Sequence, residues 1–454
     1  MNKKIIEKWH EYYAGKNLKN YRLDGCSKSY KGISLGMAKV ISQSLATLVW
    51  SNIPRINTVG EDIENSQLLI DSVLDSNKVW DIIPRKLELM AADGGFMCVA
   101  VPTENGTIID YYDVSKFNIL EWHNDNIKKI ELINSYTVNN NNKVLTVVIT
   151  ETHDYTYKSY KITNKATIDG MSVSLSFIRP DLEEEHEYTE IDEPFFTYFK
   201  SPLANNIDID SPYGISIYAN ALDTLDSVDH AYTHKKRDIT KAQTRLFISE
   251  NALTKSPVES YQKSLGTFSP ESDDAITVIN SDPGDSKLPI DAVVVSMKTD
   301  DLIKCINKDL ETLCMQTGFS PGSFTFDGAS VKTATEVIYQ QSDTYKLKSK
   351  FENVVETCLI SLCKSILKID EITNKSNYGV TTVTIGFKST VSNDKSKDIS
   401  DTASMVNNKF MSRCEAIMSL RGITRNEALE VMLDIAKEEL DTIAFLESNK
   451  KVEV

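Results

Sequence analysis

The distribution of proline constrains the fold of this chain more than any other feature of its sequence. No proline lies between Pro212 and Pro257, and none follows Pro321. In between, four prolines fall close together: Pro257, Pro270, Pro283 and Pro289. Because proline interrupts a helix interior, this spacing predicts a helix, an irregular insert, a second helix and a mainly helical remainder with one strand.

The two helices that flank the insert also carry their own signals. The first is predicted over about Ser216–Gln243, with an apolar face formed by Tyr218, Leu222, Leu225, Tyr232 and Ile239. The second is predicted to begin at Thr299 and to end at Gly318. Between them, the runs RLFIS, AITVI and AVVVSM predict the strands of a small αβ insert.

A long helix with a polar first half is predicted in GASVKTATEVIYQQSDTYKLKSKFENVVETCL, from Gly328 to Leu359. Thr333 and Glu336 form a capping box at its start. A helix from Thr333 to about Lys368 is about 50 Å long, several times the usual three turns. Helices in proteins are stabilised mainly by packing an apolar face, so the sequence leaves open what covers the polar half.

The first half of the chain is predicted to change from helix to sheet. Helical patterns run from Met1 to about Ile56 and from about Glu64 to Ala92. FMCVAVP, GTIIDYYDV and KFNILEW then predict strands, and a long meander follows with a turn at Asn139 to Asn142. MSVSLSFI predicts another strand, and the acidic run from Asp181 to Glu193 predicts a solvated loop.

The end of the chain is predicted to be helical after one more strand. GVTTVTIGFKST is the strand candidate, and the helical block begins at about Asp398. Thr424 and Glu427 form a second capping box within that block.

The composition is that of a folded, soluble protein. The 454 residues are 41% hydrophobic and 25% charged, enough for about two to four domains. No apolar run approaches the roughly 18–20 residues of a membrane span, and MNKKIIEKWHEYY lacks the apolar region of a secretion signal. The seven cysteines show no disulfide framework and are expected to be reduced thiols of a cytoplasmic protein: Cys26, Cys98, Cys305, Cys314, Cys358, Cys363 and Cys414.

The net charge of −15, from 50 Lys and Arg against 65 Asp and Glu, argues against tight binding of nucleic acid. Such binding usually needs a basic surface that neutralises phosphates. The acidity is also explained by solubility alone.

The usual phosphate-binding and metal-binding motifs are absent. The sequence has no G-x-x-x-x-G-K-[ST], G-x-G-x-x-G, H-E-x-x-H or C-x-x-C pattern. His230 and His234 have the spacing of a helical metal pair but no signalled third ligand, so surface or interface histidines are favoured. We therefore expect no catalytic residues, no metal and no cofactor. We expect the protein to be a structural or binding component.

Three aspartates on the helix before the insert could also be interpreted as a carboxylate cluster: Asp223, Asp226 and Asp229. The basic residues of this helix come late, so the charges match the helix dipole without a ligand. The segment IDIDSPYG resembles the start of a calcium loop, but Pro212 and Tyr213 occupy positions that need a ligand and a glycine.

Two segments resemble signature segments of tailed-bacteriophage portal proteins, of the compact type found in long-tailed phages. They are DSPYGISIYANALDTLDSVDHAYTHKKRDI (Asp210 to Ile239) and MQTGFSPGSFTFDGASVKTATEVIYQQSDTYKLKSKFENVV (Met315 to Val355), with KTATEV the most specific part. The order of elements is similar over most of the chain. The resemblance implies an α+β portal fold with an αβ wing, a two-helix stem, a small αβ clip, a long wing helix and a short helical crown.

The resemblance also implies domain boundaries. Residues 1–211 correspond to the N-terminal part of the wing, 212–243 and 299–317 to the stem helices, and 244–298 to the clip. Residues 318–390 correspond to the tunnel loop, long helix and wing strand, and 391–454 to the crown.

The function implied is a dodecameric ring at the unique capsid vertex of the virion, assembled in the host bacterial cytoplasm. Non-specific double-stranded DNA passes through its channel during packaging and ejection, and terminase supplies the ATP hydrolysis. The other implied partners are the major capsid and scaffolding proteins and a head-completion adaptor, with no membrane. Two other hypotheses stay open: another minor head or connector protein of a phage-like particle, and an enzyme without recognisable short motifs.

The resemblance points to two sets of residues that meet DNA. The tunnel loop contributes Ser320, Ser323, Phe324, Thr325, Phe326 and Asp327. A stem basic cluster faces DNA or forms an ion-pair belt between subunits: Lys235, Lys236, Arg237 and Lys241. In such a ring, neighbouring subunits would cover the polar half of the long helix, although a solvent-bridging helix within one subunit remains the alternative. An acidic channel would let DNA slide, because each neutralised phosphate adds affinity.

Overall fold

The computed structural model describes residues 3–22, 29–51, 53–103, 106–140, 143–241, 245–249, 276–279, 290–293, 299–325, 342–374, 376–387, 395–421, 425 and 428–438. The chain divides into two units, Met1–Phe387 and Lys388–Val454. Helices and strands are mixed along the first unit, which confirms the predicted α+β class.

The helices of the first unit follow the apolar periodicity of the sequence. They are α1 (Lys3–Tyr13), α2 (Met37–Val49), α3 (Ile63–Ser76), α4 (Val79–Asp93), the short α5 (Leu175–Ile178), α6 (Leu222–Lys241), α7 (Thr299–Thr317) and α8 (Ser342–Asn374). The predicted helical region from Glu64 to Ala92 is confirmed as α3 and α4. Asn77 separates the two helices, because its side chain bonds to β-strand backbone at Thr107 and Ile109 instead.

The strands account for most of the chain between α4 and α6. They are β1 (Asn20–Arg22), β2 (Ser29–Lys31), β3 (Arg55–Val59), β4 (Gly95–Thr103), β5 (Gly106–Asp113), β6 (Phe117–His123), β7 (Asn126–Asn140), β8 (Lys143–Thr156), β9 (Lys158–Ile168), β10 (Met171–Val173), β11 (Glu185–Ile191), β12 (Phe196–Lys200), β13 (Arg245–Ser249), β14 (Ile276–Ile279), β15 (Ile290–Val293) and β16 (Thr382–Gly386). The strands predicted before the meander, the meander itself and the late strand are thereby confirmed.

The largest sheet is the predicted meander. Its strand order is β10-β9-β8-β7-β6, and β11 also pairs with β9. β7 and β8 are antiparallel and in register from Lys129↔Asp154 to Asn140↔Lys143. Smaller sheets have the orders β12-β4-β5, β14-β13-β15, β16-β3 and β1-β2.

The core of the first unit lies where α8 packs on the β12-β4-β5 sheet. Phe351, Val355 and Leu359 of α8 are buried, and Ser365 Oγ donates a 2.8 Å hydrogen bond to the Pro194 carbonyl near the start of β12. This face repeats at three- and four-residue spacing, so one stripe of a long helix closes the sheet.

A close backbone approach joins the end of α4 to the segment before α6. A Cβ added at Gly94 would overlap the Gly214 carbonyl, and one added at Gly214 would overlap the Gly94 carbonyl. Hydrogen bonds from the Ser201 amide to the Gly94 carbonyl and from the Ile217 amide to the Ala91 carbonyl, both 2.9 Å, hold the contact. Only glycine fits two backbones at this separation.

The predicted helical stretch from Met1 to about Ile56 is confirmed over α1 and α2 and is wrong between them. Gly15, at φ 65°, follows α1, and β1 and β2 then pair with each other before α2 begins. We call residues 16–22 and 29–35 the N-terminal strap. The strap lies against α6, so contacts made about 200 residues away in sequence override the local helical pattern.

The acidic run from Asp181 to Glu193 was predicted to be a loop, and this prediction is wrong because the run contains β11. Its carboxylates find partners on β9, because Lys161 Nζ lies 2.6 Å from Glu185 Oε1 and Ser159 Oγ donates to Glu187 at 2.7 Å. Ile191 ends the strand in the core. MSVSLSFI was also predicted to be a strand throughout, but only Met171–Val173 is a strand and Leu175–Ile178 is helical.

Both helices predicted to flank the insert are present, and they pack against each other. α6 begins at Leu222 rather than at the predicted Ser216, and α7 occupies its predicted range. They pack side by side, and Ser227 Oγ donates a 2.8 Å hydrogen bond to Asp309. In the insert, β13 and β14 match RLFIS and AITVI. β15 includes Ala292 and Val293 of AVVVSM, whose other residues lie outside the described ones.

The long helix is present as α8, which has 33 described residues. It ends at Asn374, beyond the predicted Lys368. The capping box at Thr333 and Glu336 lies outside the described residues. Asn141 and Asn142, the second half of the turn predicted in the meander, also lie outside them.

The second unit contains helices α9 (Lys395–Asn407) and α10 (Arg413–Arg421), and residues 428–438 are also helical. The predicted helical block is therefore confirmed for these ranges. The second capping box, Thr424 and Glu427, lies outside the described residues. A capping box that was not predicted starts α10, since the Ser412 hydroxyl accepts from the Glu415 amide at 3.1 Å and the Glu415 carboxylate accepts from the Ser412 amide at 2.9 Å.

Candidate functional site

The segment predicted as the tunnel loop begins where α7 ends. Gly318 has a φ of 80°, a left-handed conformation that suits glycine and terminates the helix. Phe319 then turns into the core, and Phe324 meets it edge-on with ring centroids 5.1 Å apart. The start of the loop is thus fixed by aromatic packing.

A pair of hydroxyl side chains joins this start to the N-terminal end of α8. The Ser320 amide donates to Thr344 Oγ1 at 2.8 Å, and the Thr344 amide donates to Ser320 Oγ at 3.2 Å. The two hydroxyl oxygens are themselves 3.1 Å apart. We call this reciprocal arrangement the Ser320–Thr344 clasp.

The clasp separates the six predicted loop residues into different environments. Ser320 is 1% exposed and its polar groups are bonded to Thr344, so it is not available to a ligand in this conformation. Ser323 is exposed, while Phe324 and Thr325 are half-buried. Phe326 and Asp327 lie outside the described residues.

The predicted stem basic cluster lies at the C-terminal part of α6. The Arg237 guanidinium stacks over the Tyr30 ring of the N-terminal strap, 4.2 Å from its centroid. Lys236 is exposed, with Nζ 5.1 Å from the Tyr232 ring centroid, and Lys235 is half-buried. The side-chain environment of Lys241 lies outside the described residues. Arg237 is therefore held by an aromatic ring, and Lys236 is the most accessible of the three.

The carboxylates on α6 do more than match the helix dipole. Asp229 is buried and accepts hydrogen bonds from the Leu35 amide at 2.7 Å and from Ser34 Oγ at 3.1 Å. Asp226 accepts from Tyr12 Oη at 3.1 Å and pairs with Lys19. Burial raises the pKa of Asp229. This role could not be predicted from the sequence, because the partner of the carboxylates is a polar strap without a motif.

The histidine pair on α6 is in direct contact. His230 Nε2 and His234 Nε2 are 3.0 Å apart, and Tyr30 Oη lies 3.4 Å from His234 Nε2. His230 is exposed and His234 is half-buried. The strap thus meets α6 at carboxylates on one side and at imidazoles on the other.

A cavity of about 500 Å³ lies beside α1 and α4, a feature that the sequence analysis missed. His10 Nδ1 lies 3.0 Å and 3.2 Å from the two carboxylate oxygens of Asp93 at its edge. Burial raises the pKa of Asp93 to about 6, and His10 opposes that shift. The histidine and the aspartate are 83 residues apart, so no local spacing could have paired them.

Within the described ranges, His, Cys, Asp and Glu nowhere form a group of three or more that could hold a metal ion. Every helix in those ranges is too short or too polar to cross a lipid bilayer.

The first unit thus combines two packed helices with a small sheet between them in sequence, a clasped loop and a long helix over a mixed αβ body. The model of the family "Phage portal protein, SPP1 Gp6-like" matches residues 1–443, and the chain belongs to this family. The suspected resemblance is thereby confirmed. The family is structural rather than catalytic, which also confirms that the chain is not an enzyme.

Two solved structures are similar to this chain at 11% identity. One is from the virion of a native gene transfer agent particle, with a TM-score of 0.44, covering 85% of this chain and 89% of that one. The other is from the neck of an empty gene transfer agent particle, with a TM-score of 0.48, covering 92% and 93%. No curated protein gives a significant match.

Proposed function

We propose that this portal protein forms a dodecameric ring at the unique capsid vertex. Terminase packages double-stranded DNA through the ring, and the DNA leaves through it on infection. The observation that carries the proposal is the match of the portal family over residues 1–443. The protein is assembled in the host cytoplasm and resides in the virion.

The proposed domains follow the order of elements. Residues 212–243 and 299–317, which contain the packed helices α6 and α7, form the stem. Residues 244–298, with the β14-β13-β15 sheet, form the clip that meets terminase and later the head-completion adaptor. Residues 1–211 and 318–390 form the wing with its tunnel loop, and 391–454 form the crown. Major capsid and scaffolding proteins surround the wing during assembly.

The exposed side of α8 supports contact between subunits. Its first turns place Lys346, Lys350 and Asn353 in solvent, opposite the buried Phe351 and Val355. A neighbouring copy can satisfy these polar groups with hydrogen bonds and ion pairs. In the ring, this polar face of α8 is a subunit boundary.

The DNA-facing surface is proposed to be sparse in positive charge. Ser323, Phe324 and Thr325 belong to the loop face, and Phe326 and Asp327 follow them in the sequence. Lys236 is the exposed cation among the described side chains of the stem cluster. Non-specific DNA binding depends on the number of phosphates neutralised. With a net charge of −15, the channel can pass DNA without retaining it.

Native mass spectrometry and negative-stain imaging of the purified chain test the assembly. We expect closed rings with an axial hole and a mass of twelve chains. Portals can be monomeric in isolation, so a reconstruction of native particles is the decisive measurement. A position other than the unique vertex would show that the protein is another head or connector component.

The role of the basic cluster is tested by neutralising Lys235 and Lys236 together as Lys235→Gln and Lys236→Gln. This leaves the Arg237–Tyr30 contact in place, unlike a variant that also changes Arg237. Intact rings with altered DNA packaging would indicate DNA contact. Failure to form rings would indicate an ion-pair belt between subunits.

A further inference from the structure

The two histidines of α6 place their ring nitrogens in a shared position. The rings are nearly perpendicular, at 86°, with centroids 4.4 Å apart. Their Nε2 atoms are 3.0 Å apart, and the hydroxyl oxygen of Tyr30 lies 3.4 Å from Nε2 of His234. Three heteroatoms with lone pairs therefore converge where the N-terminal strap meets α6.

The separation of the nitrogens matches a metal chelate. Imidazole nitrogens bind late first-row metal ions at about 2.0–2.1 Å. Two such bonds with a 3.0 Å nitrogen separation enclose an angle of about 94° at the metal. That angle is close to the right angle of square-planar or octahedral sites. A tetrahedral zinc site would place the nitrogens about 3.3 Å apart instead.

The pair is open to solvent on the side of His230. His230 is exposed, so water has access to the remaining coordination positions. Because no third histidine, cysteine or carboxylate is grouped with the pair among the described residues, water has to supply those ligands.

We propose that His230 and His234 chelate a late first-row divalent cation, Ni²⁺ or Cu²⁺, with water completing the coordination and the Tyr30 hydroxyl beside it. Both imidazoles are neutral in the chelate. The ring that donates the Nε2–H···Nε2 hydrogen bond in the free protein carries its proton on Nδ1 when the metal is bound. The site does not depend on ring assembly.

Isothermal titration of the full-length chain with NiCl₂ at pH 7.5 tests the proposal. The matched control exchanges neighbouring residues, His234→Lys with Lys235→His, which keeps the composition but moves the second imidazole off the chelating spacing. We expect the exchange to weaken Ni²⁺ binding at least tenfold. His230→Gln, which leaves the Tyr30–His234 contact intact, should do the same, whereas His186→Gln on β11 should have no effect.

Electron paramagnetic resonance with one equivalent of Cu²⁺ gives an independent result. Coupling to two imidazole nitrogens is expected in the parent chain and to one in His230→Gln, with circular dichroism showing that each variant is folded. The proposal is wrong if the parent and exchanged chains bind Ni²⁺ equally, or if the parent signal shows fewer than two imidazoles.

Discussion

At the scale of single residues, Asp229 is the side chain on which the attachment of the N-terminal strap depends most. It is buried, and it accepts hydrogen bonds from the Leu35 amide and the Ser34 hydroxyl. Removing the acceptor leaves two partly buried donors without this partner, which costs about 1–3 kcal/mol in total because water still reaches both. Residues of the strap therefore depend on a carboxylate that follows them by almost 200 positions.

We expect Asp229→Ala to lower the free energy of unfolding by about 1–3 kcal/mol, measured by urea denaturation. Asp223→Ala is the matched control, because Asp223 lies on the same helix but is exposed. Its loss should cost less than about 1 kcal/mol, as a helix-dipole interaction. Equal effects of the two substitutions would contradict the role given to Asp229.

Asp93 should make stability depend on pH. Its pKa in the folded state is about 6, above the ordinary value of 3.8. On acidification the folded protein therefore takes up a proton before the unfolded chain does. The destabilisation by this buried charge at pH 7 decreases as the pH falls below about 6 and is lost near 3.8. When the pH is lowered from 7 to 4, the free energy of unfolding of the parent should rise by about 1–3 kcal/mol relative to that of Asp93→Asn.

Denaturation of both proteins across that pH range measures the difference. Glu64→Gln removes an exposed carboxylate on α3 and serves as the control, with no comparable trend expected. A parent that loses stability relative to Asp93→Asn on acidification would show that the His10–Asp93 ion pair, not burial, dominates.

At the scale of elements, the close approach of Gly94 and Gly214 sets how α4 meets the segment before α6. A side chain at either position would overlap the opposite carbonyl. Gly214→Ala should therefore destabilise the fold by about 1–3 kcal/mol or more. Gly386→Ala in β16, where a Cβ meets nothing within 4 Å, should be neutral or stabilising by about 0.4–1 kcal/mol. Thermal unfolding of the two variants checks the contrast.

The elements that could be predicted from the sequence are those whose partners are close in the chain. The α3–α4 region and the β7–β8–β9 meander follow local periodicity and short turns. β11 could not be predicted, because the cross-strand partners of its carboxylates on β9 are what make the acidic run a strand. The strap was missed for the same reason, since its partners lie on α6.

The candidate site was predictable only in part. The ends of α7 and the position of the basic residues follow from glycine and charge placement. The burial of Ser320, the stacking of Arg237 on Tyr30 and the His10–Asp93 pair all join residues more than 20 positions apart. Such contacts leave no spacing pattern in a single sequence.

At the scale of the whole molecule, the large core belongs to the first unit. All its buried members lie between Ile6 and Ile385, whereas the buried apolar residues described in the second unit are Ala416 and Ala428. A chain truncated after Phe387 should therefore fold, with a melting temperature within a few degrees of the parent. Calorimetry measures this, and loss of cooperative melting would show that the second unit is required for folding.

The Ser320–Thr344 clasp has an evolutionary consequence. Ser320 and Thr344 are bonded to each other. A change in the number of residues between them therefore need not move α7 or α8. Doubling the residues in a closed loop costs only about 0.6 kcal/mol. Homologues should therefore accumulate insertions and deletions after Ser320 and before the KTATEV segment that begins at Lys332, while the two hydroxyls themselves are retained.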